Sequence, residues 1–268
     1  MKRVCKGSVP EALQKYALTN PNAKWEEMRN DNEHCGYQAA HECLDQAIRD
    51  QFGLCAYCEQ TISFAGNIHR RIEHFHPKSD KIGIHNWSLD WENMLAVCDG
   101  GSNSSQEERL THALSKNKSC DAYKNDMMQN KKLPKACEGH LLNPLIVPVF
   151  PNLFALEKDT GYFKSNEVSC AIVQIPGNKC ESTAALVKQT IDALNLNCDR
   201  LAEKRKLLVI DIDRNKKRLR IKGILPGEMP KKLVTRYFRV KWPAFFTALR
   251  CCLGSAAEDY LKSIDYQG

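Results

Sequence analysis

Two adjacent residues, Glu73 and His74, combine the two functions that hydrolysis of a phosphodiester bond requires. A carboxylate is a hard oxygen ligand suited to Mg²⁺ or Mn²⁺. A histidine titrates near neutral pH, so it can take a proton from an attacking water molecule. A lone histidine is more often a surface or core residue than a catalyst, and the motifs around the pair therefore decide how it is interpreted.

Cysteines with the spacing of zinc ligands flank this pair. Cys55 and Cys58 form a Cys-x-x-Cys motif, which can hold one zinc ion in a tight turn with Zn–S bonds of about 2.3 Å. A structural zinc needs two further ligands. The preferred set consists of four cysteines, Cys55, Cys58, Cys98 and Cys120. Cys137 with His140 also has ligand-like spacing and is the alternative second pair.

The order of the motifs favours a reaction centre over isolated residues. Cys-x-x-Cys is followed by Glu-His, then by Asn93 ahead of an apolar run that ends in Cys98, and then by Cys120-Asp121-x-x-Lys124, all in under 75 residues. Chance rarely assembles four such motifs over so short a stretch. The sequence therefore predicts a metal-dependent nuclease built on a zinc knuckle.

This order of motifs resembles the HNH, or ββα-metal, endonuclease superfamily over about residues 54–125. The resemblance implies that His74 is the general base, and that Asn93 braces the loop between two strands and orients this base. It implies that Glu73 and Asp121 hold a catalytic Mg²⁺ or Mn²⁺. It also implies that the four preferred cysteines hold a structural Zn²⁺.

The sequence departs from the superfamily pattern at three points. Glu73 stands where Asp is commoner, which lengthens the reach to the metal. Asp121 stands where Asn is commoner, and both side chains supply an oxygen ligand. Cys98 and Cys120 are separated by a 21-residue loop rather than by two residues.

Basic residues near the motif core predict contacts with the substrate. Arg70 and Arg71 directly precede Ile72 and the Glu-His pair. His76 and Lys124 are the other predicted substrate-binding residues. Further along, residues 200–222 contain ten basic and three acidic residues. This segment is compatible with contacts to a phosphate backbone, with a solvated helix face, or with a face that meets an acidic partner.

A narrower resemblance, to the PtuB family, covers nearly the whole chain. It is carried by Arg71 to Lys78, by Asp90-Trp91-Glu92-Asn93-Met94, and by Leu194-Asn195-Leu196-Asn197 followed by Leu201 and Arg205. PtuB proteins are HNH effectors of Septu and retron-linked anti-phage systems. The resemblance implies a PtuA-like ATPase partner and, in retron-linked systems, a reverse transcriptase with its RNA–DNA product. It also implies that cleavage is held off until infection.

The elements that must position these residues indicate an α+β protein with three regions. Residues 1–52 predict an N-terminal helical segment in which Gly53 stops the last helix. Residues 53–130 predict the zinc-stabilised nuclease core. Residues 131–268 predict a mixed, mostly helical region that interacts with a partner or with nucleic acid, including a hairpin around residues 153–164. Helices are expected from Ser182, from about residue 199 to 220, and from 233 to 261 with breaks near Pro243 and Gly254.

Composition sets the remaining expectations. The net charge of +7 favours polyanionic partners such as nucleic acid. Thirteen cysteines, an odd number, rule out complete internal pairing. The chain has no apolar run of membrane-spanning length, no signal-peptide pattern and no Gly-rich phosphate loop, which predicts a cytoplasmic protein without ATPase activity.

The sequence as a whole predicts an endonuclease with structural Zn²⁺ and catalytic Mg²⁺ or Mn²⁺, and DNA is preferred over RNA as its substrate. Two alternatives stay open. One is a zinc-knuckle module that binds nucleic acid or a partner without catalysis. The other is a nuclease whose substrate is RNA, such as a tRNA, because the scissile phosphate is alike in DNA and RNA.

Overall fold

The structure of the protein, a computed structural model, describes residues 1–63, 69–80, 83–239 and 242–268. Within these ranges the chain forms twelve α-helices and two antiparallel two-stranded sheets, so the predicted mixed α+β class is confirmed. None of the helices in these ranges is both long and apolar enough to cross a membrane.

Three helices form the N-terminal region, as its sequence predicts: α1 (Glu11–Thr19), α2 (Trp25–Asn30) and α3 (Gly36–Asp50). The buried residues of α3 include Ala40, Cys43 and Ala47, which recur at helical spacing and pack against the two preceding helices. The predicted stop at Gly53 is confirmed. Its backbone has a φ of +76°, and its N–H donates to the Ile48 carbonyl at 2.8 Å.

A two-stranded sheet carries the Glu-His pair. Its strands are β1 (Arg70–His74) and β2 (Met94–Cys98), which run antiparallel with His74 opposite Met94. A 3-10 turn over Trp91–Asn93 leads into β2. All five residues of β2 are buried, as expected for an apolar run that crosses the core.

Three helices follow β2: α4 (Gln106–Thr111), α5 (Leu114–Asn117) and α6 (Cys120–Gln129). Helix α6 packs against β2. Its first turn and a half carries Cys120, Asp121 and Lys124, and all three are buried. Two strands and one helix thus bring the motif residues together.

The region after residue 131 is mixed and mostly helical. Its elements are β3 (Phe154–Glu157), β4 (Tyr162–Ser165), α7 (Glu167–Ile172), α8 (Thr183–Ala193), α9 (Asp199–Ile221), α10 (Met229–Tyr237), α11 (Phe246–Leu253) and α12 (Ser255–Ser263). The predicted hairpin is confirmed, since β3 and β4 pair antiparallel. Ser182 caps α8 as expected, because its side chain accepts a hydrogen bond from the backbone N–H of Ala185 at 3.0 Å. The predicted break at Gly254 separates α11 from α12, and residues 240 and 241 of that segment lie outside the described residues.

The three predicted regions share one hydrophobic core. Its buried side chains come from the N-terminal helices, the sheet and α6, and the C-terminal helices up to Ala248. Asn195 ties the regions together, because its side-chain amide donates to the carbonyls of Lys116 and Lys118 at 3.0 and 2.8 Å. The neighbouring Leu194 carbonyl accepts the backbone N–H of Cys120 at 2.9 Å. The Leu-Asn-Leu-Asn motif therefore fixes the start of α6.

The basic helix α9 divides its charges between the interior and the surface. Arg205 is 1% exposed and donates to the carbonyls of Gly161 and Leu196, which joins α9 to the hairpin. Burial lowers the pKa of Arg205 to about 10. Arg200 is also buried and donates to the Ser119 hydroxyl at 2.8 Å. These two arginines are structural, and the other basic residues of α9 lie at least partly exposed on its outer face.

Candidate functional site

Four thiols converge beside the sheet. Cys55, Cys58, Cys98 and Cys120 are all buried, and their Sγ atoms lie within 4.8 Å of one another. Three of the Sγ–Sγ distances are 3.6, 3.6 and 3.9 Å. A tetrahedral zinc site with Zn–S bonds of about 2.3 Å requires separations of about 3.8 Å. The cluster therefore has the donor type and the spacing that a zinc ion needs.

The backbone sets the position of each thiol. Cys55 and Cys58 lie in a tight turn in which the Cys55 N–H donates to the Gln60 carbonyl at 2.9 Å. Cys98 is the last residue of β2, and Cys120 is the first of α6. Cys120 has a φ of +57°, a left-handed conformation that residues other than glycine rarely adopt. Its hydrogen bond to the Leu194 carbonyl holds it there.

The alternative ligand pair does not join this cluster. Cys137 is buried, and its thiol donates to the Phe75 carbonyl at 3.3 Å. Burial raises the pKa of Cys137 to about 11. Cys137 therefore lies outside the set of four thiols that approach one another closely, and this geometry separates the two candidate ligand sets.

A cavity of about 650 Å³ opens next to the cluster, and the Glu-His pair lies in its wall. Glu73 and His74 come from the end of β1, and Asp121 and Lys124 from α6. Residues of α2 and α3 also line the cavity. The cavity therefore collects side chains from β1 and the segment that follows it, from α6, and from the N-terminal helices.

His74 is held in one tautomer. Its Nε2 lies 3.1 Å from the Ser88 carbonyl, which can only accept a hydrogen bond, so Nε2 carries the proton and Nδ1 carries the lone pair. The ring also contacts the edge of Trp25 at a centroid distance of 5.1 Å. Burial, with the nearby Lys78 charge, lowers the pKa of His74 to about 4. The imidazole is neutral at physiological pH and can accept a proton.

Asn93 fixes the loop that holds this histidine. Its side-chain oxygen accepts the His76 N–H at 2.7 Å, and its amide donates to the carbonyls of His76 and Trp87, each at 3.0 Å. Trp87 directly precedes Ser88, whose carbonyl orients His74. Asn93 thus acts on His74 through the backbone of the loop, in keeping with the bracing role that the sequence resemblance implies.

The two carboxylates of the cavity are each paired with a cation. Lys124 Nζ lies 2.6 Å from Glu73 Oε1, and Arg71 Nη2 lies 2.7 Å from Asp121 Oδ1. Burial, followed by repulsion from Glu73, raises the pKa of Asp121 to about 7 while Arg71 opposes this rise. Although burial disfavours its charge, Lys124 has a raised pKa because Glu73 attracts the ammonium. A further cation near both carboxylates would relieve the repulsion between them.

The predicted substrate-binding residues divide into two groups. Arg70 and Arg71 line the cavity, and the Arg71 side chain is 41% exposed. His76 lies outside the cavity lining, because its two ring nitrogens contact Glu138 and Asp80 at 2.7 and 2.9 Å. Lys124 lines the cavity, but only 1% of its side chain is exposed. Contact of these residues with substrate stays a prediction, and Arg70 and Arg71 have the best access.

The cavity also includes residues that the motifs did not single out. Its further polar lining residues are Arg29, His41, Lys78, Ser79, Asn125, Gln129 and Lys135. Asn125 and Gln129 follow Asp121 at intervals of four residues, so helical spacing could have placed them on the same face of α6. Arg29 lies far from the motifs in sequence, Lys135 follows α6, and neither carries a local signal. Lys78 forms an ion pair with Glu26 at the rim.

The low pKa of His74 predicts a pH-dependent contribution to stability. The pKa of about 4 in the folded protein lies below the ordinary histidine pKa of 6.5, so the unfolded chain binds more protons between these pH values. The contribution is therefore fully present above pH 6.5 and is lost as the pH falls toward 4, by about 3 kcal/mol in the free energy of unfolding. Denaturant titrations at several pH values, compared with His74→Gln, measure this difference.

His74→Gln is the appropriate reference, because acid also protonates the cysteine cluster and this effect is common to both proteins. Wild type is expected to lose stability more steeply than the variant between pH 6.5 and 4. Parallel profiles for the two proteins would contradict the burial of a neutral His74.

Comparison with known proteins gives one informative relative. No family model matches the chain. A protein of Escherichia coli named "Retron Ec83 putative HNH endonuclease" is 36% identical over 211 residues, which cover 78% of this chain and 79% of the relative. An alignment of this length includes most of the chain, so the similarity extends well beyond any single short motif.

Proposed function

This chain belongs to the HNH endonuclease family of its retron relative, and we propose that it is a metal-dependent nuclease that hydrolyses phosphodiester bonds with His74 as general base. The observation that carries the proposal is the convergence of Glu73, His74 and Asp121 in one cavity beside the cysteine cluster. A module that only binds nucleic acid has no need of a buried neutral histidine in the same cavity as two carboxylates.

The cysteine cluster fits a structural zinc ion. Its four donors are thiols, its separations match a tetrahedral site, and it joins the knuckle, β2 and α6. A closed set of four protein ligands leaves no position open for a substrate. We therefore assign the cluster to stability: it ties α6, which carries Asp121, to β2, the strand that pairs with the Glu73-bearing β1.

The cavity carboxylates fit a catalytic Mg²⁺ or Mn²⁺. Glu73 and Asp121 supply hard oxygen donors from β1 and α6, and the second oxygen of each has no hydrogen-bond partner among the described residues. When bound, such an ion would stabilise the negative charge that develops on the leaving oxygen. The chain's own residues must position the water and the phosphate.

His74 would take the proton of the attacking water on Nδ1. The Ser88 carbonyl fixes the tautomer, and Asn93 fixes the loop that carries this carbonyl. The Nε2–H bond to Ser88 would be strengthened as the ring becomes positive, which favours proton uptake in the transition state. Asn93 is a positioning residue in this scheme, and His74 is the catalytic one.

Basic side chains around the cavity would guide the substrate. Arg29, Arg70, Arg71, Lys78 and Lys135 all line it, and backbone phosphates are their natural partners. Such contacts do not read sequence. We propose DNA as the first substrate to test, with RNA such as tRNA as the second.

The biological setting proposed is antiviral defence. The relative's name places it with a retron, and this supports a role for the present chain as the toxic effector of a retron-linked system. On the resemblance to PtuB, we propose two partners for this chain. One is a PtuA-like ATPase, and the other is a reverse transcriptase with its RNA–DNA product. The exposed basic face of α9 would be available to such partners.

Cleavage of plasmid DNA and of total tRNA, each with Mg²⁺ or Mn²⁺ and with EDTA as a control, tests the proposed activity. We expect metal-dependent cleavage of at least one substrate, with or without the ATPase partner, and loss of cleavage in EDTA. Product ends mapped on the cleaved substrate would confirm hydrolysis within the strand. Binding of nucleic acid without cleavage under every condition would instead support the non-catalytic zinc-knuckle module.

A further inference from the structure

The reaction centre neutralises its own carboxylates. Glu73 pairs with Lys124 at 2.6 Å, and Asp121 pairs with Arg71 at 2.7 Å. Two acids and two bases leave these four side chains without net charge when all are ionised. A divalent cation is normally attracted by an excess of negative charge among its ligands. This centre lacks that excess until another anion arrives.

Lys124 cannot easily leave its position. Its side chain is 1% exposed, and Nζ also donates to the Phe75 carbonyl at 3.0 Å. Moving the ammonium into solvent would break the bond to this carbonyl and leave the buried Glu73 without its cation. Both changes are costly in a buried setting. The Lys124–Glu73 pair therefore persists when the cavity is filled.

Arg71 holds the second carboxylate from the open side of the cavity. The side chain of Asp121 is 5% exposed, whereas that of Arg71 is 41% exposed. Arg71 Nη2 also lies 3.4 Å from the Asp99 carbonyl, which helps to hold the guanidinium over Asp121. Arg71 can therefore face a phosphate while it remains paired with Asp121.

We propose that Lys124 and Arg71 are positioning residues that keep Glu73 and Asp121 neutralised, so that the catalytic divalent cation binds tightly only together with a substrate phosphodiester. This inference rests on the proposed nuclease function and deepens it. A divalent cation alone would bring two uncompensated charges into a largely buried site, and a phosphate would offset part of them. Each ligand therefore raises the affinity for the other, and the coupling is reciprocal.

The test measures Mn²⁺ binding rather than turnover. Free Mn²⁺ is followed by electron paramagnetic resonance at pH 8 in a His74→Ala background, which slows cleavage, with zinc already bound to the protein. Mn²⁺ titrations are run on the protein alone and on the protein with a DNA or an RNA oligonucleotide of the same sequence. Adding Glu73→Gln to this background identifies the relevant site as the one that this change removes.

The expected result is an Mn²⁺ affinity that rises roughly tenfold or more when the bound oligonucleotide is present. Lys124→Met should raise the Mn²⁺ affinity of the protein alone by a similar factor and reduce its dependence on the oligonucleotide. Lys124→Arg keeps the positive charge and should therefore retain the coupling between Mn²⁺ binding and oligonucleotide binding. A merely structural role of the lysine would not require this coupling to follow the charge. Arg71→Met, at a more exposed position, should act in the same direction and serves if Lys124→Met does not fold.

Two results would overturn the inference and are distinguishable. A Glu73-dependent Mn²⁺ site whose affinity is the same with and without oligonucleotide, and unchanged in Lys124→Met and Arg71→Met, would reject the coupling but leave the nuclease intact. Absence of any Glu73-dependent Mn²⁺ site, with or without oligonucleotide, would reject both the coupling and the proposed catalytic centre.

Discussion

Replacing His74 by alanine is expected to reduce the rate of cleavage by about 10²- to 10⁴-fold, the usual contribution of a general base. The residue is 8% exposed, its Nε2 is bound to the Ser88 carbonyl, and its Nδ1 is the atom left to accept a proton. Among the described residues, the other histidine that lines the cavity is His41, which comes from α3 rather than from the sheet. Initial rates on the substrate found in the cleavage assay give the measurement.

The comparison of cleavage rates requires that His74→Ala is folded, and it requires a control substitution at a histidine outside the cavity. Zinc content and the far-ultraviolet circular dichroism of His74→Ala should equal those of wild type, because His74 lies outside the cysteine cluster. His34→Ala is the control, as His34 is exposed and contacts Asp31 away from the cavity. It should cleave at the wild-type rate. Full activity in His74→Ala would reject this histidine as the general base.

Replacing Cys55 by serine is expected to abolish stoichiometric zinc binding and to destabilise the protein strongly. Structural zinc contributes on the order of 10 kcal/mol of apparent binding free energy in small zinc domains, and part of this becomes folding free energy. The cluster joins the knuckle to β2 and α6, so its loss removes a link between three elements. Zinc content by atomic absorption and the midpoint of denaturant unfolding measure the two effects.

Cys137→Ser is the matched control for this prediction. Cys137 is as buried as Cys55, but it contacts the Phe75 carbonyl rather than the other thiols. A serine hydroxyl can donate a hydrogen bond to the same carbonyl, so this variant should keep its zinc and most of its stability. Loss of zinc in Cys137→Ser as well as in Cys55→Ser would instead favour Cys137 and His140 as the second ligand pair.

Hydrogen bonds join the C-terminal region to the start of α6, so the predicted nuclease core and C-terminal region are not structurally separate. The Leu194 carbonyl accepts a hydrogen bond from Cys120, the first residue of α6, and the Asn195 side chain donates to the Lys118 carbonyl just before it. Arg200 donates to the Ser119 hydroxyl, next to Cys120. The residues predicted as a separate partner-binding region therefore also support the cysteine cluster. A motif that lies outside the nuclease core in sequence is in this way part of its structural support.

Much of the site could be predicted from the sequence because its key spacings are local. A Cys-x-x-Cys turn, two adjacent residues on a strand, and three positions on the first turns of a helix each fix their geometry over a few residues. The helix stop at Gly53, the cap at Ser182 and the hairpin of β3 and β4 were predictable for the same reason. Motif order then indicated which of these pieces belong together.

Tertiary structure decided what depends on packing between distant segments. Only the fold places Cys137 outside the thiol cluster, because its side chain meets the Phe75 carbonyl. Only the fold buries Lys124 against Glu73, although spacing along α6 was compatible with an exposed phosphate contact. Arg29 enters the cavity from α2, and Lys135 from the segment after α6, and neither belongs to a motif. Burial, charge pairing and tautomer are set by neighbours in space, and local sequence spacing does not specify those neighbours.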